Sequence, residues 1–333
     1  VRILSRGRVL LLVTGLCLAA VLIGGAFFAH RHLEAWMVTP GPLAKEVDIL
    51  LPRGVGLAGI AARLEEAGVI DDALRLRLAT RLSGRDRRLQ AGEYRFAPGI
   101  TPDEALAMIE AGRQVLHRLT VPEGRTVREA WALLEAEERL TGDLPELPPE
   151  GGILPETYFF QRGEERRAVA ERMVAAMRKA QAEIWANRAE DLPFDTLEEA
   201  VTLASIIEKE TALADEYRTV ASVYVNRLRR GMPLQADPTV IYALTKGLSD
   251  LGRPLTRADL KLDDDYNTYQ RAGLPPGPIA LPGRAALEAA VNPADTDYLY
   301  FVADGGGGHA FGRTLQEHNA NVRKWRAFQR SQQ

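Results

Sequence analysis

Leu197 to Thr211 reads LEEAVTLASIIEKET, and how this stretch folds decides how the rest of the chain is read. Thr196 with Glu199 three residues on makes a capping box, so a helix is expected to begin at Leu197. At about 100° per residue from Leu197, the side chains of Ala200, Val201, Ala204 and Ile207 fall within about 80° of it, and Glu208 falls at about 20°. Glu208 is therefore expected on the inward, apolar stripe. Glu199 and Glu210 come out near the opposite side, where a glutamate is a solvated surface group, and Lys209 is on a flank. A carboxyl among apolar neighbours loses solvation in its charged form, so its pKa rises and it can hold a proton near neutral pH for a leaving group. That suits a general acid. It equally suits a buried structural acid paired with one of the many arginines, and the helical pattern leaves both readings open.

The 333 residues give room for about two domains, and 46% apolar with 26% charged residues is ordinary globular composition. A net charge of −3 argues against nucleic acid as a partner. Val9 to Ala29 runs 21 residues without a charge, the length of a bilayer span and longer than the core of a signal peptide. The expectation is an uncleaved anchor over 9–29. Arg2, Arg6 and Arg8 precede it and only Arg31 closely follows, so the positive-inside rule puts a short tail, 1–8, in the cytoplasm and the rest outside. Trp36 is expected at the membrane interface. The one cysteine, Cys17, lies inside this segment, so no intramolecular disulfide is available and the fold must hold by its core.

Beyond the anchor, Val38 to Pro42 (VTPGP) is a turn-rich spacer within 30–44. A self-similarity follows at an offset of 70 residues, LPRGVGLAGIAARLEEAG from Leu51 against VPEGRTVREAWALLEAEE from Val121. A looser copy, FAPGITPDEALAMIEAG, starts at Phe96. Each reads as strand, tight turn and short amphipathic helix, with Pro102 suited to a first helical turn. Leu140 to Gly152 is a proline- and glycine-rich loop, and GGILPETYFF at Gly151 to Phe160 suggests a buried strand. Glu164 to Arg188 has helical spacing at Val169, Met173, Ala176, Met177, Ala180 and Ile184, and is expected to pack against the Glu208 helix. Glu216 to Arg230 reads as another helix, ended by Gly231. Asp237 before Pro238 looks like an N-cap, which explains it structurally. Leu260 to Gly283 has too many prolines and glycines for regular elements, yet its tyrosines, asparagine and threonine suit a loop that binds sugars. Tyr298 to Phe311 reads as a hairpin through a glycine turn.

Metal catalysis finds little support, because His30, His32, His117, His309 and His318 form no ligand spacing. No nucleophile elbow surrounds Ser205 or Ser222. Acid–base chemistry with Glu208 remains. Ordinary glycosidases need two carboxylates. The sequence offers no clear second one, since Asp237 is explained by capping, Glu156 sits beside a turn and Asp263 to Asp265 look exposed. A one-acid mechanism without activated water fits better.

LASIIEKET at Leu203 to Thr211, ASVYVNRLRRGMPLQADPTVIYAL at Ala221 to Leu244, YNTY with GLPPGPI within Tyr266 to Ile279, and YLYFVADGGGGHAF at Tyr298 to Phe311 together resemble the YceG-like (MltG) family of endolytic murein transglycosylases. The resemblance covers most of the chain. It implies an α+β fold: a single N-terminal transmembrane helix, a small LysM-like module over 45–115 and a mixed α+β catalytic domain over 116–333. It implies that Glu208 is the catalytic acid and then base, protonating the glycosidic oxygen between muramic acid and glucosamine in peptidoglycan. The muramyl 6-hydroxyl would then close on the anomeric carbon to give a 1,6-anhydro end. By the same resemblance Gln235, Asp237, Tyr266, Asn267, Thr268, Tyr269 and His309 would surround the glycan cleft. No metal or organic cofactor is implied. The implied setting is the plasma (inner) membrane with the catalytic domain extracytoplasmic, where the family ends nascent strands beside penicillin-binding synthases. The glycine run before His309 is longer than the family's. Two other readings are a water-using muramidase that recruits Asp237 or an acid near Asp265, and a non-catalytic peptidoglycan-binding scaffold in which Glu208 is structural.

Overall fold

The computed structural model describes residues 6–331. Residues 1–5, Arg2 among them, and 332–333 lie outside the described residues, as do the side chains of residues 6–12; the basic amino end, Arg2, Arg6 and Arg8, on which the expected orientation rests, falls there. Helix α1 (Arg6–Met37) is unbroken, and its Val13–Met37 portion, of mean hydropathy 1.9, is long and apolar enough to cross a bilayer. Leu16, Leu22, Phe28 and Cys17 are exposed along it. Contacts divide the chain into two units, one running to His117 with Gln161–Gly163 added, the other made of Arg118–Phe160 and the chain from Glu164 onward.

In the first unit α1 is followed by β1 (Val47–Leu51), α2 (Leu57–Glu66), α3 (Ala73–Leu82), β2 (Gly92–Phe96) and α4 (Pro102–Glu110). β1 and β2 pair antiparallel, Val47 opposite Phe96 and Leu51 opposite Gly92. A two-stranded ribbon is marginal alone. Here it is held by one apolar cluster that joins Leu51, Tyr94 and Phe96 to Ile60 and Leu64 of α2 and to Leu106 and Ile109 of α4. Thr101 and Glu104 form a capping box at α4, with Pro102 in its first turn. Trp36 packs against this core and its Nε1 donates to Asp71 Oδ1 at 2.8 Å, because α1 continues past the apolar run and its last turn belongs to the unit. The VTPGP stretch is not a free spacer: Gly41 N–H donates to Ile100 O at 3.0 Å, and a Cβ there would stand 2.3 Å from Val69 O.

The second unit holds most of β3 (Leu116–Thr120) and of β4 (Thr157–Gln161), together with α5 (Val127–Glu135), α6 (Arg166–Ala186), α7 (Leu197–Glu210), α8 (Tyr217–Arg229), α9 (Asp237–Thr245), α10 (Arg284–Val291), β5 (Tyr300–Ala303), β6 (His309–Gly312) and α11 (Leu315–Ser331). β3 pairs with β4 and β5 with β6. The repeat seen in the sequence is a repeat of form: β1 and β3 each turn through a left-handed glycine, Gly54 at φ 81° and Gly124 at φ 71°, into a short helix. β4 is only half-buried, with Tyr158 and Phe160 inward and Phe159 outward, since one face of a ribbon stays open. α11, which starts where Thr314 Oγ1 accepts from Glu317 N–H at 3.2 Å, buries none of its residues and lies on the β5–β6 hairpin with His318 stacked on Tyr300 at 5.3 Å.

α7 is the centre of this unit. Every residue from Ala200 to Ile207 is buried, because α6, α8, α9 and α10 all pack against it and leave no solvent face along that run. Even Ser205 is buried, and its Oγ accepts from Ile279 N–H at 3.0 Å while donating to Thr202 O at 2.7 Å. That bond fastens the proline-rich loop before α10 onto α7 and so carries Gly283 to the helix end.

Candidate active site

The capping box expected at Thr196 is present: Thr196 Oγ1 accepts from Glu199 N–H at 3.2 Å and a Glu199 oxygen accepts from Thr196 N–H at 3.0 Å. The helix it starts ends at Glu210, and Thr211 is extended. Glu208 therefore stands in the last turn, half-buried, where the packing around α7 gives out. Its Oε1 accepts from Tyr217 Oη at 3.0 Å and its Oε2 from Gly283 N–H at 2.9 Å. Burial, the largest influence, pushes its pKa above the ordinary carboxylate value; Glu123 pushes the same way, against the bonds from Gly283 and Tyr217 and the charge of Lys209. The carbonyl end of a helix also disfavours a negative charge. Gly283 N–H can only donate, so Oε2 stays an acceptor, whereas the Tyr217 hydroxyl can donate or accept. The proton of neutral Glu208 is thereby directed to Oε1. Tyr217 is itself pushed well up, first by burial and then by Glu208.

Glu208 opens on a cavity of about 360 Å³ whose other walls include Glu123, Arg125, Glu129, Lys209, Glu210 and Asp250. A smaller hollow of about 60 Å³ shares Gly124, Glu129, Lys209 and Asp250 with it and reaches Tyr242 and Pro238. Tyr242 packs on Tyr266 with ring centroids 4.9 Å apart and planes tilted by 46°, and Lys246 Nζ lies 5.3 Å from the Tyr266 ring. Flat aromatic faces of this kind suit sugar rings.

Glu210 overturns its expected place as a solvated surface acid. Its Oε1 accepts from Tyr224 Oη at 2.7 Å, and burial, opposed by that bond and reinforced by Asp237, pushes its pKa up to about 7. The angular count placed it opposite the inward stripe, but α8 covers that side. Arg227 of α8 is buried beneath, its guanidinium donating to Leu299 O and Leu234 O, each at 2.7 Å. The sequence signal was there, since Arg227 follows Val220 and Tyr224 on the buried face of α8.

Of the other expected residues, Asp237, Tyr269 and His309 interact electrostatically with Glu210. Asp237 is the first residue of α9 and Ala236 its N-cap, with no capping bond from a side chain. The Asp237 carboxylate instead accepts from Tyr269 Oη at 2.6 Å, a partner from the distant loop that local capping rules cannot foresee. Gln235 is exposed and left-handed at φ 51°, its N–H bound to Thr268 O at 3.1 Å. Asn267 is wholly buried; its Nδ2 donates to Leu262 O at 2.7 Å and its Oδ1 accepts from Tyr269 N–H at 3.0 Å. Thr268 is buried too, with its Oγ1 accepting from Ala236 N–H at 3.0 Å. Both side chains hold the backbone. His309 Nδ1 lies 2.6 Å from Glu216 Oε2, and its N–H donates to Glu216 Oε1 at 2.8 Å. Burial raises the Glu216 carboxyl, but the bonds from His309 outweigh it and hold that pKa below the usual value. Of the expected set, Glu208 alone lines the 360 Å³ cavity. Sequence reasoning missed Glu123, Tyr217 and Gly283, which lie close to Glu208 in space and apart from it in the chain. Among the described residues no group of three or more His, Cys, Asp or Glu side chains is placed to hold a metal ion.

The sequence matches the YceG-like family over residues 49–324. An endolytic murein transglycosylase of Bacillus subtilis is 30% identical over 345 aligned residues, which cover 92% of this chain and 91% of that one. A Streptococcus pneumoniae protein described in the same words is 28% identical across 93% of this chain, which spans 64% of its length. A solved structure of a yceG-like protein from Listeria monocytogenes is 29% identical, with 83% of this chain and 99% of that chain aligned at a TM-score of 0.49.

Proposed function

The chain belongs to the YceG-like family, and from that premise we propose that it is a membrane-anchored lytic transglycosylase that cuts peptidoglycan glycan strands internally. The observation that carries the chemistry is Glu208: a carboxyl with a raised pKa, held by Tyr217 and Gly283 at the edge of an open polar cavity. It would give its proton to the glycosidic oxygen as the bond to the muramyl anomeric carbon breaks. The resulting carboxylate would take the proton of the muramyl 6-hydroxyl, whose oxygen closes on that carbon. A 1,6-anhydro end forms and no water is consumed.

Tyr242, Tyr266, Tyr269, Asp237, Gln235 and His309 would line the path of the strand, while Asn267 and Thr268 would act by holding the backbone of that wall. The two antiparallel strands with their helices in the first unit are proposed as a LysM-like glycan-binding module. Arg2, Arg6 and Arg8 ahead of the anchor support an amino terminus in the cytoplasm and an extracytoplasmic catalytic unit. There the enzyme would terminate nascent strands beside penicillin-binding synthases.

Glu210, with its pKa near 7 and a place in the same cavity wall, competes with Glu208 for this role. Its carboxyl is the more deeply desolvated of the two and is bound to Tyr224, which favours Glu208 as the group that meets the sugar. Purified glycan strands digested with the parent, Glu208→Gln and Glu210→Gln proteins and weighed by mass spectrometry decide the matter. Only Glu208→Gln is expected to abolish anhydro products while retaining the fold and glycan binding. Cleavage by Glu208→Gln equal to the parent's would transfer the role to another acid or leave a binding scaffold.

A further inference from the structure

Glu123 is exposed, yet its carboxylate has no ion-pair or hydrogen-bonding partner among the described residues. The nearby cations are engaged elsewhere: Arg125 Nη1 binds Glu129 at 2.7 Å and Lys209 Nζ binds Gly124 O at 3.2 Å. The backbone that carries Glu123 is fixed on both sides. Val121 N–H donates to Glu156 O at 3.0 Å, Gly124 N–H to Leu281 O at 2.9 Å, and Leu281 N–H to Arg125 O at 2.7 Å. Gly124 turns in the left-handed region at φ 71°, and the carboxylate comes to rest over the Cα of Gly283. A Cβ on Gly283 would stand 1.8 Å from Glu123 Oε1, beside the N–H that binds Glu208 at 2.9 Å. Standard backbone dimensions then bring the two carboxyl groups within about 7 Å of each other. Like charges this close oppose folding, and proteins gather such conflicts at functional sites.

We propose that Glu123 is the second functional carboxylate of this site, placing a negative charge beside the sugar ring whose leaving oxygen Glu208 protonates. The proposal rests on the acid role of Glu208. When the glycosidic bond breaks, its electron pair leaves with the oxygen, which takes the Glu208 proton, and positive charge spreads over the anomeric carbon and ring oxygen. Ionised Glu123 stabilises that charge. The 6-hydroxyl oxygen then bonds to the anomeric carbon and its proton passes to the Glu208 carboxylate. Glu123 gains and loses no proton in the cycle.

The test compares full-length parent, Glu123→Gln, Glu123→Asp and Gly283→Ala proteins on isolated, uncross-linked glycan strands, with kcat, KM, product masses and thermal unfolding measured across pH. Tyr217, Lys209 and Glu210 surround Glu208, and Arg125, Glu129 and Asp250 share its cavity; all are common to parent and Glu123→Gln. Glu123→Gln is expected to lower kcat at least tenfold with KM little changed. Its alkaline limb should move to lower pH, because a negative neighbour of Glu208 has gone. Glu123→Asp should recover part of the rate, and Gly283→Ala, which keeps the charge but displaces it, should lose rate as well. Parental kcat and an unmoved limb in Glu123→Gln overturn the proposal, as does a rate loss that only follows a loss of thermal stability. Reducing ends in the parent's products that vanish in Glu123→Gln also overturn it, since Glu123 would then be activating water. Cleavage that persists in Glu208→Gln marks failure of the underlying acid assignment; a parental Glu123→Gln beside an inactive Glu208→Gln marks failure of this proposal alone.

Discussion

Glu210→Gln is expected to make the protein more stable at pH 8 and to leave it nearly unchanged near pH 4.5. The Glu210 pKa is raised by burial from 4.5 to about 7 in the folded chain, so the folded state binds that proton more tightly than the unfolded one. The sign follows directly: the stabilising contribution is fully present below the unfolded pKa and is lost as pH rises through the folded one. Between pH 4.5 and about 7 the parent therefore gives up stability. At about 1.4 kcal/mol per pKa unit the loss is about 3 kcal/mol, an upper bound because the packing around the carboxyl relaxes. A glutamine keeps an oxygen to accept from Tyr224 and has no charge to desolvate. For a unit of this size about 3 kcal/mol corresponds to about 6–12 °C in Tm. Thermal unfolding of detergent-solubilised parent and variant at pH 5 and pH 8 reads the effect as a Tm gap that opens only at the higher pH. A gap of equal size at both values would refute the desolvated-carboxyl argument.

Glu208, raised in the same way, sets the pH limits of cleavage: kcat/KM is expected to stay high below its folded pKa and to fall as pH climbs through it, with a limb above the ordinary glutamate value of about 4.3. Release of anhydro ends measured from pH 4 to pH 9 checks this, and a limb at or below the ordinary value contradicts it. Ser205→Ala should cost about 1–3 kcal/mol by leaving the buried Ile279 N–H without its acceptor. It should also reduce kcat, because the loosened loop is the one that delivers Gly283 to Glu208; an unchanged kcat would show that the loop is held by other contacts.

Sequence and structure agree where the deciding interactions are local. The capping box at Thr196, the helix after it and the inward position of Glu208 all depend on residues within a few turns of one another. The same holds for α6, where Val169, Met173, Met177, Ala180 and Ile184 of the spaced apolar residues are buried and Ala176 is partly so, and for the Asp304 to Gly308 turn between β5 and β6. Asp237 and Glu210 were misjudged by equally local rules. Proline after Asp237 mimics a capped helix start, but Tyr269 claims the carboxylate; an angular count along α7 marks one inward stripe, but α8 brings Tyr224 against Glu210 on another side.

By itself the sequence determined the anchor helix, the repeated strand–turn–helix form, the central helix and the inward place of Glu208, since hydrophobic period and capping act over distances that the chain covers in a few residues. Only the tertiary structure decided what that acid meets. Tyr217 enters from α8, Gly283 arrives on a loop pinned by Ser205, and Glu123 swings in on a turn fastened to Leu281. These partners converge because distant backbone groups must find hydrogen bonds once the core is closed, and no pattern along the chain encodes which of them will be neighbours.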